Sequence, residues 1–175
     1  MKNATLLLIL LSMFSFGQMK GQAQNSDTQD RGAVINGVRW ATRNVGIMGT
    51  FVAAPEMYGN LYSYWRAIDV CPRGWRVPTQ AEFESLVAAG SVWTTVGGVN
   101  GRTFGVGANS IFLPAAGYRD AGNGMIDFSG RLGGYWSSSE HGVFAHFLSF
   151  DHGSVDPANF IVYREVGYAV RCVAD

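Results

Sequence analysis

The chain has 175 residues, with 13 Lys or Arg against 13 Asp or Glu, so its formal charge at pH 7 is zero. That balance argues against a nucleic-acid or anionic-membrane partner, because both demand a basic face. Hydrophobic residues make up 47% of the chain and 23 residues are Gly, a mix that implies many tight turns around aromatic packing.

Met1-Lys2 is a short positive start, Ala4 to Phe16 is an apolar run, and Gly21-Gln22-Ala23 places small residues where a signal peptidase cuts. This reads as a secretory signal peptide over 1–23. Its apolar run falls short of the roughly 20 apolar residues that a membrane helix needs, so no transmembrane segment is expected in the mature chain. The polar stretch 24–31 reads as a disordered leader. What remains, 32–175, suits one domain with a single sizeable core. The expected destination is the cell exterior or the cell surface.

Ala33 to Trp40 predicts a strand pair about an Asn36-Gly37 turn. A long irregular stretch with aromatic anchors Tyr58, Tyr62, Tyr64 and Trp65 follows. The clearest helix begins after Pro78. Thr79 stands as N-cap and Glu82 three residues on completes a capping box. Phe83, Leu86 and Val87 share one face, and Gly90 stops the helix. Gly97-Gly98 and Asn100-Gly101 are expected turns. Phe104 to Phe112 looks like one interrupted strand, and Asn123-Gly124 signals a hairpin between Tyr118 and Ile126. From Phe144 to Phe150, His146, Leu148 and Phe150 point one way, and Ala145, Phe147 and Ser149 the other. Asp151 to Ser154 and Asp156 to Asn159 are expected turns, with a strand over Phe160 to Tyr163. A last strand alternates Val166, Tyr168, Val170 and Cys172 against Ala169, Arg171 and Val173. The fold class expected is α+β, with one or two helices packed on antiparallel strands.

Cys71 and Cys172 are the two cysteines of the chain. In an oxidising compartment an even pair favours a disulfide. No catalytic constellation stands out. Tyr135-Trp136-Ser137-Ser138-Ser139 lacks the Gly-x-Ser-x-Gly form of a nucleophile elbow. His141, His146 and His152 come without tight Cys/His pairs, and Asp151 and Asp156 do not make a calcium loop, so no metal and no cofactor are expected. The chain is read as non-catalytic.

Several separated motifs occur in a fixed order. They are Trp40-Ala41-Thr42-Arg43-Asn44-Val45-Gly46, Cys71-Pro72-x-Gly74-Trp75-Arg76-Val77-Pro78-Thr79-x-x-Glu82-Phe83, Tyr135-Trp136-Ser137-Ser138 and Tyr168-x-Val170-Arg171-Cys172. Together they resemble the Fibrobacter major-paralogous domain, FISUMP, of the C-type-lectin-like superfamily, over residues 32 to 174. The resemblance implies a compact α+β domain in which long loops display a ligand surface. Residues 140 to 166 also resemble the variable region of diversity-generating retroelement target proteins. The Glu-Pro-Asn and Trp-Asn-Asp motifs of calcium-dependent lectins are not in the sequence, so calcium-dependent sugar binding is not expected.

The expected function is a secreted or surface-displayed module that captures a protein or glycan ligand through its C-terminal loops. A structural or tip subunit of a surface fibre is the alternative, and a polysaccharide-active enzyme comes after it. The candidate contact residues are His141, Phe144, His146, Asp151, His152, Phe160, Val162 and Tyr163. Aromatic side chains supply contact area, and His and Asp supply directional hydrogen bonds.

Overall fold

A computed structural model describes residues 30–159 and 162–175. The expected signal peptide and most of the expected leader lie outside the described residues. Asp30, the penultimate residue of the expected leader, belongs to the folded domain. Its buried carboxylate accepts from the backbone N–H groups of Gly32 (2.9 Å), Thr42 (2.9 Å) and Arg43 (3.1 Å), and pairs with the Arg43 guanidinium at 3.3 Å. Burial pushes the carboxyl upward, but the bonds from Thr42, Gly32 and Arg43 outweigh it and hold the group below the usual carboxylate range.

The elements in order are β1 (Ala33–Ile35), β2 (Val38–Trp40), α1 (Tyr64–Ala67), β3 (Trp75–Arg76), α2 (Gln80–Ala88), β4 (Ser91–Val96), β5 (Val99–Val106), β6 (Asn109–Pro114), β7 (Tyr118–Arg119), β8 (Ile126–Asp127), β9 (Gly133–His141), β10 (Phe144–Phe150), β11 (Val155–Asn159) and β12 (Val173–Ala174). The strands form three antiparallel sheets, β1-β2-β12-β3, β4-β5-β6 and β11-β10-β9, plus a β7-β8 ribbon. With two short helices, the class is α+β.

β1 and β2 join through Asn36 (φ 47°) and Gly37 (φ 82°), the left-handed pair that a two-residue hairpin turn requires. Around α2 the capping box is complete. Glu82 N–H donates to Thr79 Oγ1 at 3.3 Å, and Thr79 N–H donates to the Glu82 carboxylate at 2.7 Å. Arg76 grips the same carboxylate with two nitrogens, at 2.6 and 2.8 Å, and so holds Glu82 below its ordinary pKa. Phe83 and Leu86 are buried, with Val87 packed beside them.

The centre of the molecule is the β9–β10 pair together with the C-terminal segment, and both faces are covered. Tyr135, Leu148, Phe150, Ala169 and Val173 turn toward a core with Trp40, Phe83, Phe104 and Leu113. Their neighbours Trp136, Phe147, Tyr168, Val170 and Cys172 turn toward a second core with Tyr64, Val45 and Val70. Arg171 is fully buried among neutral acceptors. It donates to Asn44 Oδ1 (2.8 and 2.9 Å) and to the carbonyls of Ala41 and Phe112 (both 3.0 Å). Desolvation pulls its pKa down to about 10. Cys71 and Cys172 are joined in a disulfide, Cα to Cα 6.1 Å, which ties the approach to β3 and α2 to the end of the chain.

Four local expectations are corrected. Asn100-Gly101 lies inside β5, because Gly97-Gly98 already makes the turn; a Cβ on Gly101 would sit 2.3 Å from the Leu113 carbonyl oxygen. Phe104 to Phe112 is two strands that reverse at Gly107. Asp156 to Asn159 is strand, not turn. It belongs to β11, an edge strand, and Pro157 falls where the register with β10 breaks, a position that tolerates a missing N–H. The alternation from Val166 to Val173 assigns the two faces correctly, but only Val173–Ala174 forms a regular strand. Gly167, Tyr168 and Ala169 make single bridges to Arg119, Tyr62 and Tyr135.

Candidate binding site

β9 and β10 meet at a tight reversal through Gly142 and Val143, flanked by the pair His141 and Phe144. A two-residue reversal needs a left-handed residue, and Gly142 supplies it at φ 58°. Val143 is left at the apex, 72% exposed.

This tip is held by Arg164, which is only 7% exposed. Its guanidinium donates to the carbonyls of Gly142 (2.8 Å) and Phe144 (3.0 and 3.2 Å) and meets the Glu140 carboxylate at 3.3 Å. It also lies over the Trp65 ring at 4.6 Å and the Tyr64 ring at 5.0 Å. α1 is thereby joined to the tip, and Tyr64 N–H donates to the Arg164 carbonyl at 2.8 Å. Burial, and then the Glu140 charge, push the Tyr64 hydroxyl above its ordinary pKa, so it stays protonated and donates to the Ser138 carbonyl at 3.1 Å. Trp65 is 57% exposed and Tyr163, whose ring meets Phe144 at 5.4 Å, is 67% exposed. Two exposed aromatic rings and an aliphatic apex therefore stand at a tip whose backbone is held by a buried cation.

The eight residues singled out from sequence divide. His141, Phe144, His146 and Tyr163 gather at the tip, with the two imidazoles 5.3 Å apart and His146 Nδ1 3.1 Å from the Ala158 carbonyl. Val162 follows but is half-buried against the second core. Phe160 lies outside the described residues. Asp151 and His152 stand beyond the other end of β10, about 20 Å away at the usual rise per strand residue. There Asp151 Oδ1 accepts from the N–H groups of Gly153 (2.7 Å) and Ser154 (2.8 Å), bonds that lower its pKa and shape the turn. The His152 ring lies 5.8 Å from Trp93, and Arg102 donates to the carbonyls of Asp151 and His152. The structure does not bring these two into the tip.

Trp65, Glu140, Val143 and Arg164 are tip residues that sequence reasoning did not select. The serine run is taken up in the scaffold. Ser138 N–H donates to the Pro78 carbonyl at 2.7 Å, and Ser139 Oγ accepts from Gln80 N–H at 3.0 Å, at the start of α2.

No family model, curated protein or solved structure matches the chain. No helix among the described residues is long and apolar enough to cross a membrane.

Proposed function

We propose that this chain is an exported binding module with a C-type-lectin-like domain of the FISUMP kind, which captures a protein or glycan ligand through the β9–β10 tip. The observation that carries the reading is the exposure of Trp65, Val143 and Tyr163 around a guanidinium that fixes their support. Large rings held at low conformational cost are what binding hot spots are made of. The Cys71–Cys172 disulfide supports an oxidising location. The same tip is proposed as the part of residues 140 to 166 that a retroelement would diversify. A near-copy of its codons beside the gene, differing at adenines, is the expected sign.

The test is a glycan and protein binding screen of residues 24–175, repeated with Trp65→Ala and Tyr163→Ala. Loss of the selected ligand with little change in melting temperature is the expected result, since both rings are largely exposed. A ligand that binds both variants as well as the wild type refutes the assignment of the tip.

A further inference from the structure

Residues 30–175 contain eleven Arg and no Lys, so every cationic side chain of the domain is a guanidinium. Arg43, Arg76 and Arg164 pair with carboxylates, while Arg102 and Arg171 donate to neutral oxygens, Arg102 through its two terminal nitrogens. Arg31, Arg39 and Arg73 meet no carboxylate within ion-pair distance among the described residues, yet all three line one open groove of about 810 Å³. Half-buried Trp75 and Pro72 line the same groove. The one acidic residue in its lining is Asp30, whose carboxylate is consumed internally by Gly32, Thr42 and Arg43. Asp175, whose N–H donates to the Gly74 carbonyl, stands beside the groove, and its charge also acts weakly on Arg76. The groove draws on the sheet β1-β2-β12-β3 and the turn before β3, and shares no residue with the tip.

A zero net charge therefore hides a local segregation of cations. Three guanidinia without a carboxylate partner in one concavity, of which Arg39 also donates to the Arg31 carbonyl at 3.1 Å, form a site for oxyanions, because their planar forks match carboxylate and sulfate oxygens two at a time. The indole and pyrrolidine of Trp75 and Pro72 add an apolar surface on which a sugar ring can lie. The volume lies within the range of small-ligand sites. A nucleic acid is disfavoured, because its dense charge demands a broad basic face, whereas the described residues hold eleven Arg against twelve Asp and Glu.

We propose that this groove binds an acidic saccharide, with Arg31, Arg39 and Arg73 holding its carboxylate or sulfate groups and Trp75 supporting a ring. The site is independent of the ligand surface at the tip.

The exported protein is titrated with tetragalacturonate, with a sulfated chondroitin tetrasaccharide, with neutral cellotetraose and with single-stranded oligothymidylate, and tryptophan fluorescence and calorimetry are read. Saturable binding of at least one acidic tetrasaccharide is expected, weakening as salt is raised, with cellotetraose silent. Which acidic probe binds more tightly separates carboxylate from sulfate. Arg31→Ala and Arg73→Ala, whose side chains make no hydrogen bond among the described residues, are each expected to weaken binding about tenfold at unchanged melting temperature. Arg39→Lys keeps the charge and loses the fork, and is expected to weaken it by a similar factor. Trp65→Ala and Tyr163→Ala leave this binding unaltered. Failure of both acidic probes, tighter binding of cellotetraose or oligothymidylate, or wild-type affinity in the Arg31 and Arg73 variants overturns the proposal.

Discussion

Replacing Arg164 with Met keeps a stem that packs on Trp65 and Tyr64 but removes every donor beneath the tip. The bonds to the Gly142 and Phe144 carbonyls come from a charged donor, a type that contributes about 1.5–3 kcal/mol each. Gly142 is exposed, so water recovers part of that loss. The pair with Glu140, whose side chain is 58% accessible, adds at most about 1 kcal/mol. The net loss expected for Arg164→Met is about 2–4 kcal/mol, or a fall of about 5–15 °C in melting temperature for a domain of this length. Urea unfolding of the wild type, Arg164→Met, Arg164→Lys and Glu140→Gln measures it. Glu140→Gln should stay within about 1 kcal/mol of the wild type. Arg164→Lys should recover less than half of the loss, because one ammonium cannot serve both carbonyls and the Trp65 face. Arg164→Met within about 1 kcal/mol of the wild type, or no worse than Glu140→Gln, refutes the claim that this guanidinium holds the tip.

Asp30 carries an acid sensitivity. Its folded pKa is depressed, so its stabilising contribution is complete above the unfolded carboxylate value near 4 and is lost as pH falls through the lower folded one. The stability gap between wild type and Asp30→Asn, followed by urea midpoint, should therefore shrink below about pH 4; a constant gap contradicts the assignment. A Cβ on Gly134 would lie 2.2 Å from Tyr168 Cδ1, so Gly134→Ala should destabilise by about 3 kcal/mol. At Gly142 an added Cβ meets nothing within 4 Å, and Gly142→Ala should cost about 1 kcal/mol through its positive φ alone. Equal unfolding midpoints for the two variants would deny the close packing under β9. Reducing the disulfide, which spans 101 residues, should lower stability by up to about 4.7 kcal/mol. Identical melts with and without reductant would mean that the bridge does not constrain the unfolded chain.

What could be read from sequence was what neighbours along the chain decide. Thr79 and Glu82 cap α2 through bonds three residues apart, and Asn36-Gly37 turns on its own dihedral preference. Asn100-Gly101 carries the same local signal and yet runs straight, because β6 approaches from thirteen residues away and leaves room there for glycine alone. Alternation located the two faces of 166–173 but not their partners, which are single residues on three separate segments. The aromatic and histidine content marks 140–166, of which His141, Phe144, His146 and Tyr163 gather at the tip. Asp151 and His152 were adjacent in the chain and far in space, since a seven-residue strand carries them to the opposite end. Trp65 could not be joined to the tip from sequence. Its link is the Arg164 side chain, and cation–π contacts across nearly a hundred residues leave no periodic mark.

Ala33 and Val173 both pair with Trp40, one on each side of it, so the strands that enter and leave the domain run as near neighbours. Cys172 precedes Val173 directly and is bonded to Cys71. Tension applied between these two strands would pass from Cys172 across the sulfur bridge to Cys71. Only the segment from Ala33 to Cys71 could then be drawn out, at about 3.3–3.6 Å per residue. Everything between the cysteines, with α2 and the tip, is bypassed by the covalent route. A domain pulled between its entering and leaving strands would act as a short tether of limited extension, and its length under force would report whether the bridge is intact.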